Sequence, residues 1–145
     1  MAILGKHSIG QMLIQAGKID KDQLQTALNI QEEQDIYLGL ICKNLGYIND
    51  LELYRYLSLQ MKIPFINLRY YEIDNSVIDL IPEKIARSNK IFPLFRLKNT
   101  LNIAITDPLQ SSSINAAMDV TGLKIETNIA LEHEIDNAID LHYGI

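Results

Sequence analysis

Apolar residues recur at helical spacing over the first sixty positions, and the pattern is written twice. Residues 8–31, SIGQMLIQAGKIDKDQLQTALNIQ, align without a gap with residues 37–60, YLGLICKNLGYINDLELYRYLSLQ, at an offset of 29 and with EEQDI between them. Identical letters fall at Gly10/Gly39, Gly17/Gly46, Ile19/Ile48, Leu24/Leu53, Leu28/Leu57 and Gln31/Gln60. Ile9/Leu38, Met12/Ile41 and Ile30/Leu59 match in apolar character. Each copy predicts a short helix, a glycine stop and a second helix. Gly17 and Gly46 stand where a left-handed residue closes a helix, and Ile19 and Ile48 where the apolar partner of such a stop belongs. Asp20-x-x-Gln23 and Asn49-x-x-Glu52 read as capping boxes that open the next helix. Within those helices Leu24, Leu28 and Gln31 share a face, as do Leu53, Leu57 and Gln60. Solenoids of helix pairs need about three or more repeats to bury their faces. Two copies predict a closed, pseudo-symmetric four-helix bundle instead.

The period changes at MKIPFINL (61–68), where Pro64 ends the helical pattern and Phe65, Ile66 and Leu68 read as extended. Residues 73–89 suggest short helices broken at Pro82, with that proline as a first helical residue. Residues 91–106 predict two strands around a Lys98–Asn99 turn. A helix follows Pro108 and closes at Gly122, LKIETNIA (123–130) alternates as a strand, and 131–144 is an amphipathic helix. The expected class is α+β: a helical tandem-repeat subdomain over 1–62, then a small α/β subdomain over 63–145 with order β-β-α-β-α after its short helices.

At 48% apolar and 21% charged residues, the chain can build a packed core. A net charge of −5 with no basic run argues against binding of DNA or RNA polymers, which requires clustered Lys and Arg. It leaves open a small anionic ligand held by backbone N–H groups. Cys42 is the only cysteine, so an intrachain disulfide and a cysteine metal cluster are both excluded, and its expected role is that of a small buried hydrophobe. MAILGKHSIG lacks the apolar core of a signal peptide, and no apolar stretch reaches the roughly 20 residues of a membrane span. The expected location is cytoplasmic.

Catalytic signatures are missing: there is no G-x-x-x-x-G-K-[ST], no G-x-G-x-x-G after a strand, no H-E-x-x-H and no G-x-S-x-G. His133 and His142, nine residues apart on the last helix, are expected nearly to share a face, but no third metal ligand accompanies them. The chain by itself is read as no enzyme, with no catalytic and no metal site. Two features exceed what a plain bundle requires. Gly10 and Gly39 stand in the first turn of each copy, where glycine costs about 1 kcal/mol relative to alanine. They serve either tight helix packing or close approach of a ligand to free N–H groups. Gln31 and Gln60 continue the leucine stripes, either to read the edge of a flat ring covered by the leucines or simply as exposed helix ends.

These residues resemble the tandem motif of MshEN-type domains, the N-terminal domains of type II secretion and type IV pilus assembly ATPases. The motif, an arginine-led R-L-G phrase ending L-x2-Q, is written twice with a five-residue spacer, as here. The likeness continues through LSLQMKIPFINL, the IPEKIARSNKIFPLF segment and NIAITDP, and so covers the chain from about residue 5 to 144. The resemblance implies a regulatory domain that wraps cyclic di-GMP, a two-fold symmetric bacterial second messenger. Its site residues, carried over by position, are Ile9, Gly10, Leu24, Leu28 and Gln31, then Leu38, Gly39, Leu53, Leu57 and Gln60. Asp107 of the TDP turn matches an acidic position whose carboxylate accepts from guanine N–H groups. The leading arginine of the motif is Ser8 in the first copy and Tyr37 in the second, and Lys43 replaces an apolar position. Losing such a charge-assisted contact costs about 1.5–3 kcal/mol. The partners implied are the ATPase domain of a longer parent protein and an inner-membrane platform protein. The alternative function is a docking module that joins the ATPase to that platform without nucleotide, peripheral at the inner membrane.

Overall fold

A computed structural model describes residues 8–144. Residues 1–7, which carry most of the stretch read above for a signal peptide, and residue 145 lie outside that range. The chain divides into two compact units, Met1–Lys62 and Ile63–Ile145.

In the first unit each sequence copy folds as the same helix pair. Helices α1 (Ile9–Gln15) and α2 (Lys21–Glu33) come from the first copy, α3 (Leu38–Asn44) and α4 (Asp50–Met61) from the second. The duplication extends to single hydrogen bonds. Gly17 and Gly46 adopt left-handed backbone at φ of 74° and 82°. The amide after each glycine donates back across the stop, Lys18 N to Leu13 O and Tyr47 N to Cys42 O, both at 2.9 Å. The glycine amides donate to Ile14 O (3.0 Å) and Lys43 O (2.9 Å), completing a Schellman stop in each copy. Both capping boxes form: Asp20 and Asn49 accept from the third-position amides at 2.8 Å, and the Gln23 and Glu52 side chains return to the cap amides. Burial follows the repeat as well, with Ile9 and Leu38, Ile19 and Ile48, and Leu24 and Leu53 all in the core. Cys42 fills the slot that Leu13 fills in the other copy, and burial pushes its thiol up to about 11, which keeps it protonated near neutrality.

The second unit is a three-stranded sheet with helices packed on it. Two 3-10 turns, Leu68–Tyr70 and Asn75–Leu80, precede α5 (Glu83–Asn89). Pro82 stands at the N-cap of α5, one residue ahead of the helical position expected for it, and its missing N–H leaves no donor to satisfy there. Strands β1 (Ile91–Leu97) and β2 (Thr100–Ile105) pair antiparallel, and the Lys98 backbone is left-handed (φ 56°) in the turn between them. Pro93 lies in β1 at a register shift, where a strand loses little by lacking an N–H. Helix α6 (Ser111–Thr121), closed by left-handed Gly122, crosses to β3 (Lys124–Ile129), which pairs parallel to β2 in the order β1-β2-β3. Of the residues expected to be extended after Pro64, Phe65 makes an isolated bridge to Ile129, whereas Leu68 belongs to a 3-10 turn. Helix α7 (Glu132–Tyr143) ends the unit. Phe92, Leu94, Leu101, Ile103, Ile135 and Ile139 are fully buried at the centre of the core. The α+β expectation holds, as does the strand and helix order of the second half.

Candidate functional site

The motif residues of the first unit separate into an interior set and an accessible set. Ile9, Gly10, Leu24, Leu38, Gly39, Leu53 and Leu57 are buried. Leu28 and Gln31 are half-buried, and Gln60 is exposed. The leucine stripes therefore hold the bundle together, and their C-terminal ends reach its surface.

Gly39 has a packing explanation in the structure. A Cβ built there would stand 2.6 Å from Leu53 Cδ1 and 2.8 Å from Ile9 Cδ1, against ordinary carbon contacts of about 3.5–4.0 Å. The two copies meet where this glycine lets Leu53 of α4 and Ile9 of α1 close over α3.

The two glutamines, equivalent in sequence, differ in setting. Gln31 Nε2 donates to Ile36 O at 3.3 Å, because the chain turns back after α2. After Gln60 the helix instead ends on left-handed Lys62 (φ 57°), and the Gln60 side chain faces solvent. Ser8, in the place of the motif arginine, is the N-cap of α1, and its Oγ accepts from Gln11 N at 3.2 Å. Tyr37 holds the same N-cap position of α3 without a side-chain cap bond. Lys18, just beyond the first glycine stop, forms an ion pair with Glu52 in the first turn of α4. Lys18 and the Asn49 amide hold the Glu52 carboxyl below its ordinary value. Lys43 pairs with Asp50 at 3.1 Å across the second stop.

Asp107 belongs to the second unit, in the turn after β2, where its Oδ1 accepts from Leu109 N at 2.9 Å. That unit also carries a groove of about 700 Å³ that motif reading missed. One wall is Leu68, Arg69, Tyr71, Ile73 and Asn75. The other is the face of α7 bearing His133, Glu134, Asn137, Ala138, Leu141 and His142. His133 and His142 do not share a face as expected: nine residues make two and a half helical turns, about 180°. They stand at opposite margins of the strip that lines the groove, and among the described residues no group of three His, Cys, Asp or Glu could hold a metal ion. The amphipathic pattern of α7 was the one sequence signal for this groove. Among the described residues no helix is long and apolar enough to cross a membrane.

The MshEN domain model matches residues 61–145. The chain belongs to the MshEN domain family. It is 29% identical over 136 residues to the type IV pilus assembly ATPase PilB of Myxococcus xanthus, which covers 94% of this chain and 24% of that protein. The PilB proteins of Thermus thermophilus (25%; 97% and 16% covered) and Pseudomonas aeruginosa (27%; 91% and 23% covered) match likewise. The chain thus spans a quarter or less of the length of these curated relatives. Among solved structures, MshE with cdg is similar at 28% identity and a TM-score of 0.79, covering 94% of this chain and 99% of that one. The N-terminal domain of XpsE shares the fold at 18% identity and a TM-score of 0.65, with 97% of each chain covered. This MshEN domain is therefore homologous to a part of type IV pilus assembly ATPases.

Proposed function

We propose that the first unit binds cyclic di-GMP, and that the domain thereby regulates a larger type IV pilus or type II secretion ATPase to which it is N-terminal. One observation carries this reading: the likeness to MshE solved with cdg, read as cyclic di-GMP, over nearly the full length of both chains. The duplicated local structure supports it, since a two-fold symmetric ligand offers like halves to like motifs. Leu28, Gln31 and Gln60 are the accessible members and would make the direct contacts. Ile9, Gly10, Leu24, Leu38, Gly39, Leu53 and Leu57 would set the spacing of the helices that present them. The site's partners in this reading are the nucleotide and the parent ATPase domain, in the cytoplasm.

A second reading, docking to an inner-membrane platform protein without nucleotide, draws on Ser8 and Tyr37 standing where the motif has arginine, and on Leu59, which is 65% exposed beside Gln60. Calorimetric titration with cyclic di-GMP separates the two. Saturable heat that falls about tenfold in affinity in Gln31→Ala supports the nucleotide site, a hydrogen bond to a charged or polar partner being worth about 1–3 kcal/mol. Absence of both heat and thermal stabilisation at high-micromolar ligand overturns it.

A further inference from the structure

We propose that the chain self-associates head to tail, the outer stripe of α4 in one copy docking on a hollow beside α2 and α3 in the next. Neither surface contains a residue assigned to the nucleotide, so this proposal and that reading fail separately.

The duplication supplies an internal comparison. The leucines that hold the bundle match between the two longer helices, Leu24 with Leu53 and Leu28 with Leu57. The outward positions do not. On α4, Leu51, Arg55 and Leu59 recur every four residues on the side opposite the buried Leu53 and Leu57, and Lys62 continues the stripe at the C-cap. All four are exposed, Leu59 most prominently at 65%. The equivalent positions of the first copy read Asp22, Thr26, Ile30 and Glu33. The shared fold therefore does not require an aliphatic and basic stripe at this place, and only the second copy has one.

The stripe carries unbalanced positive charge. Both carboxylates of α4 are paired, Asp50 with Lys43 at 3.1 Å and Glu52 with Lys18. Arg55 and Lys62, one helical turn to either side of Leu59, form no ion pair among the described residues. The hollow has the opposite character. Ile41, 1% exposed, is its floor, Ile30, Ile36 and Leu45 are its apolar walls, and its volume is about 280 Å³. A branched aliphatic side chain is the kind of anchor that such a hollow accepts. Glu33 and Asp35, either side of Gln34 on the hollow's edge, are exposed and unpaired among the described residues. The lysine next along α3, Lys43, is already taken by Asp50.

The chain thus carries both halves of one contact: an aliphatic knob between two cations and an apolar hollow beside two acids. A second copy is the occupant these surfaces specify. Because the halves differ, the contact is heterologous and passes from copy to copy without closing as a symmetric pair. One stripe and one hollow are small beside the roughly 800 Å² per partner of a stable complex, so the association is weak and salt-sensitive.

Analytical ultracentrifugation of the full chain, without nucleotide, tests this. The average mass should rise from about 10 µM to about 1 mM, and the rise should fade in high salt. Leu59→Asp removes the knob and leaves the hollow, whereas Leu45→Asp spoils the hollow and leaves the knob. Each variant alone should stay monomeric. Their equimolar mixture should form a dimer that grows no further, since it holds one intact stripe and one intact hollow. Amide spectra confirm folding; if Leu45→Asp disturbs its spectrum, Glu33→Lys combined with Asp35→Lys, both at exposed positions, takes its place. A parent chain that stays monomeric throughout overturns the proposal. So does a mixture that stays monomeric, or self-association that survives Leu59→Asp.

Discussion

Gly39 decides whether the repeat's glycines serve the fold, and Gly39→Ala tests it. The added methyl would lie 2.6 Å from Leu53 Cδ1 and 2.8 Å from Ile9 Cδ1, about 1 Å inside contact distance on two sides. Both neighbours are terminal side-chain methyls, Leu53 fully buried and Ile9 nearly so, and relief requires them to rotate within the packed core. Overpacking of this kind costs about 1–3 kcal/mol. Alanine returns at most about 1 kcal/mol of helix propensity, and less in a first turn. The net expectation is a loss of about 1–2 kcal/mol, or roughly 4–16 °C in Tm for a unit of this size. Urea denaturation followed by circular dichroism reads it directly. Leu53→Val removes the closer of the two methyls, so the double variant should lose less than the sum of the singles by more than about 0.5 kcal/mol. Gly39→Ala as stable as the parent, with additive effects in the cycle, would refute the packing argument. Gly17→Ala gives the contrast: nothing lies within 4 Å of its Cβ, so any loss there comes from the left-handed backbone alone.

Ser8→Arg should lower stability by about 1 kcal/mol through loss of the α1 cap, seen in the urea midpoint, while tightening cyclic di-GMP binding about tenfold by calorimetry. Unchanged affinity would show that this position does not face the nucleotide. For Glu52→Gln the expectation depends on pH. Lys18 and the Asn49 amide hold the Glu52 carboxyl below its ordinary value of 4.5, so its stabilisation is complete above that value and lost as pH falls through the lower, folded-state value. The Tm difference between parent and variant should hold steady near neutrality and close in acid; a difference that persists at pH 2–3 would assign it to something other than the ion pair.

Features built from neighbouring residues were legible in the sequence. The glycine stops at Gly17 and Gly46 and the boxes at Asp20 and Asn49 each involve a few consecutive residues, so the letters specify them outright. Spacing could not reveal what covers a face. Leu53 and Leu57 lie at the i, i+4 spacing that suits a ligand wall or a core equally, and the structure places both inside. Gln31 and Gln60 part ways because the chain continues differently after each helix, which the aligned letters do not record. The groove was hidden for a related reason. Its walls are brought together by a contact spanning 66 residues, from Leu68 to Glu134, and neither strand of sequence carries a motif by itself.

In the proposed function the duplicated unit receives a two-fold symmetric nucleotide through both of its copies. Amide chemical shifts of the full chain titrated with cyclic di-GMP test this most directly. Binding through both copies should give paired perturbations 29 residues apart, around Leu28 and Leu57 and around Gln31 and Gln60, saturating together with one dissociation constant. Perturbation confined to one copy, or none in residues 8–62, would contradict it.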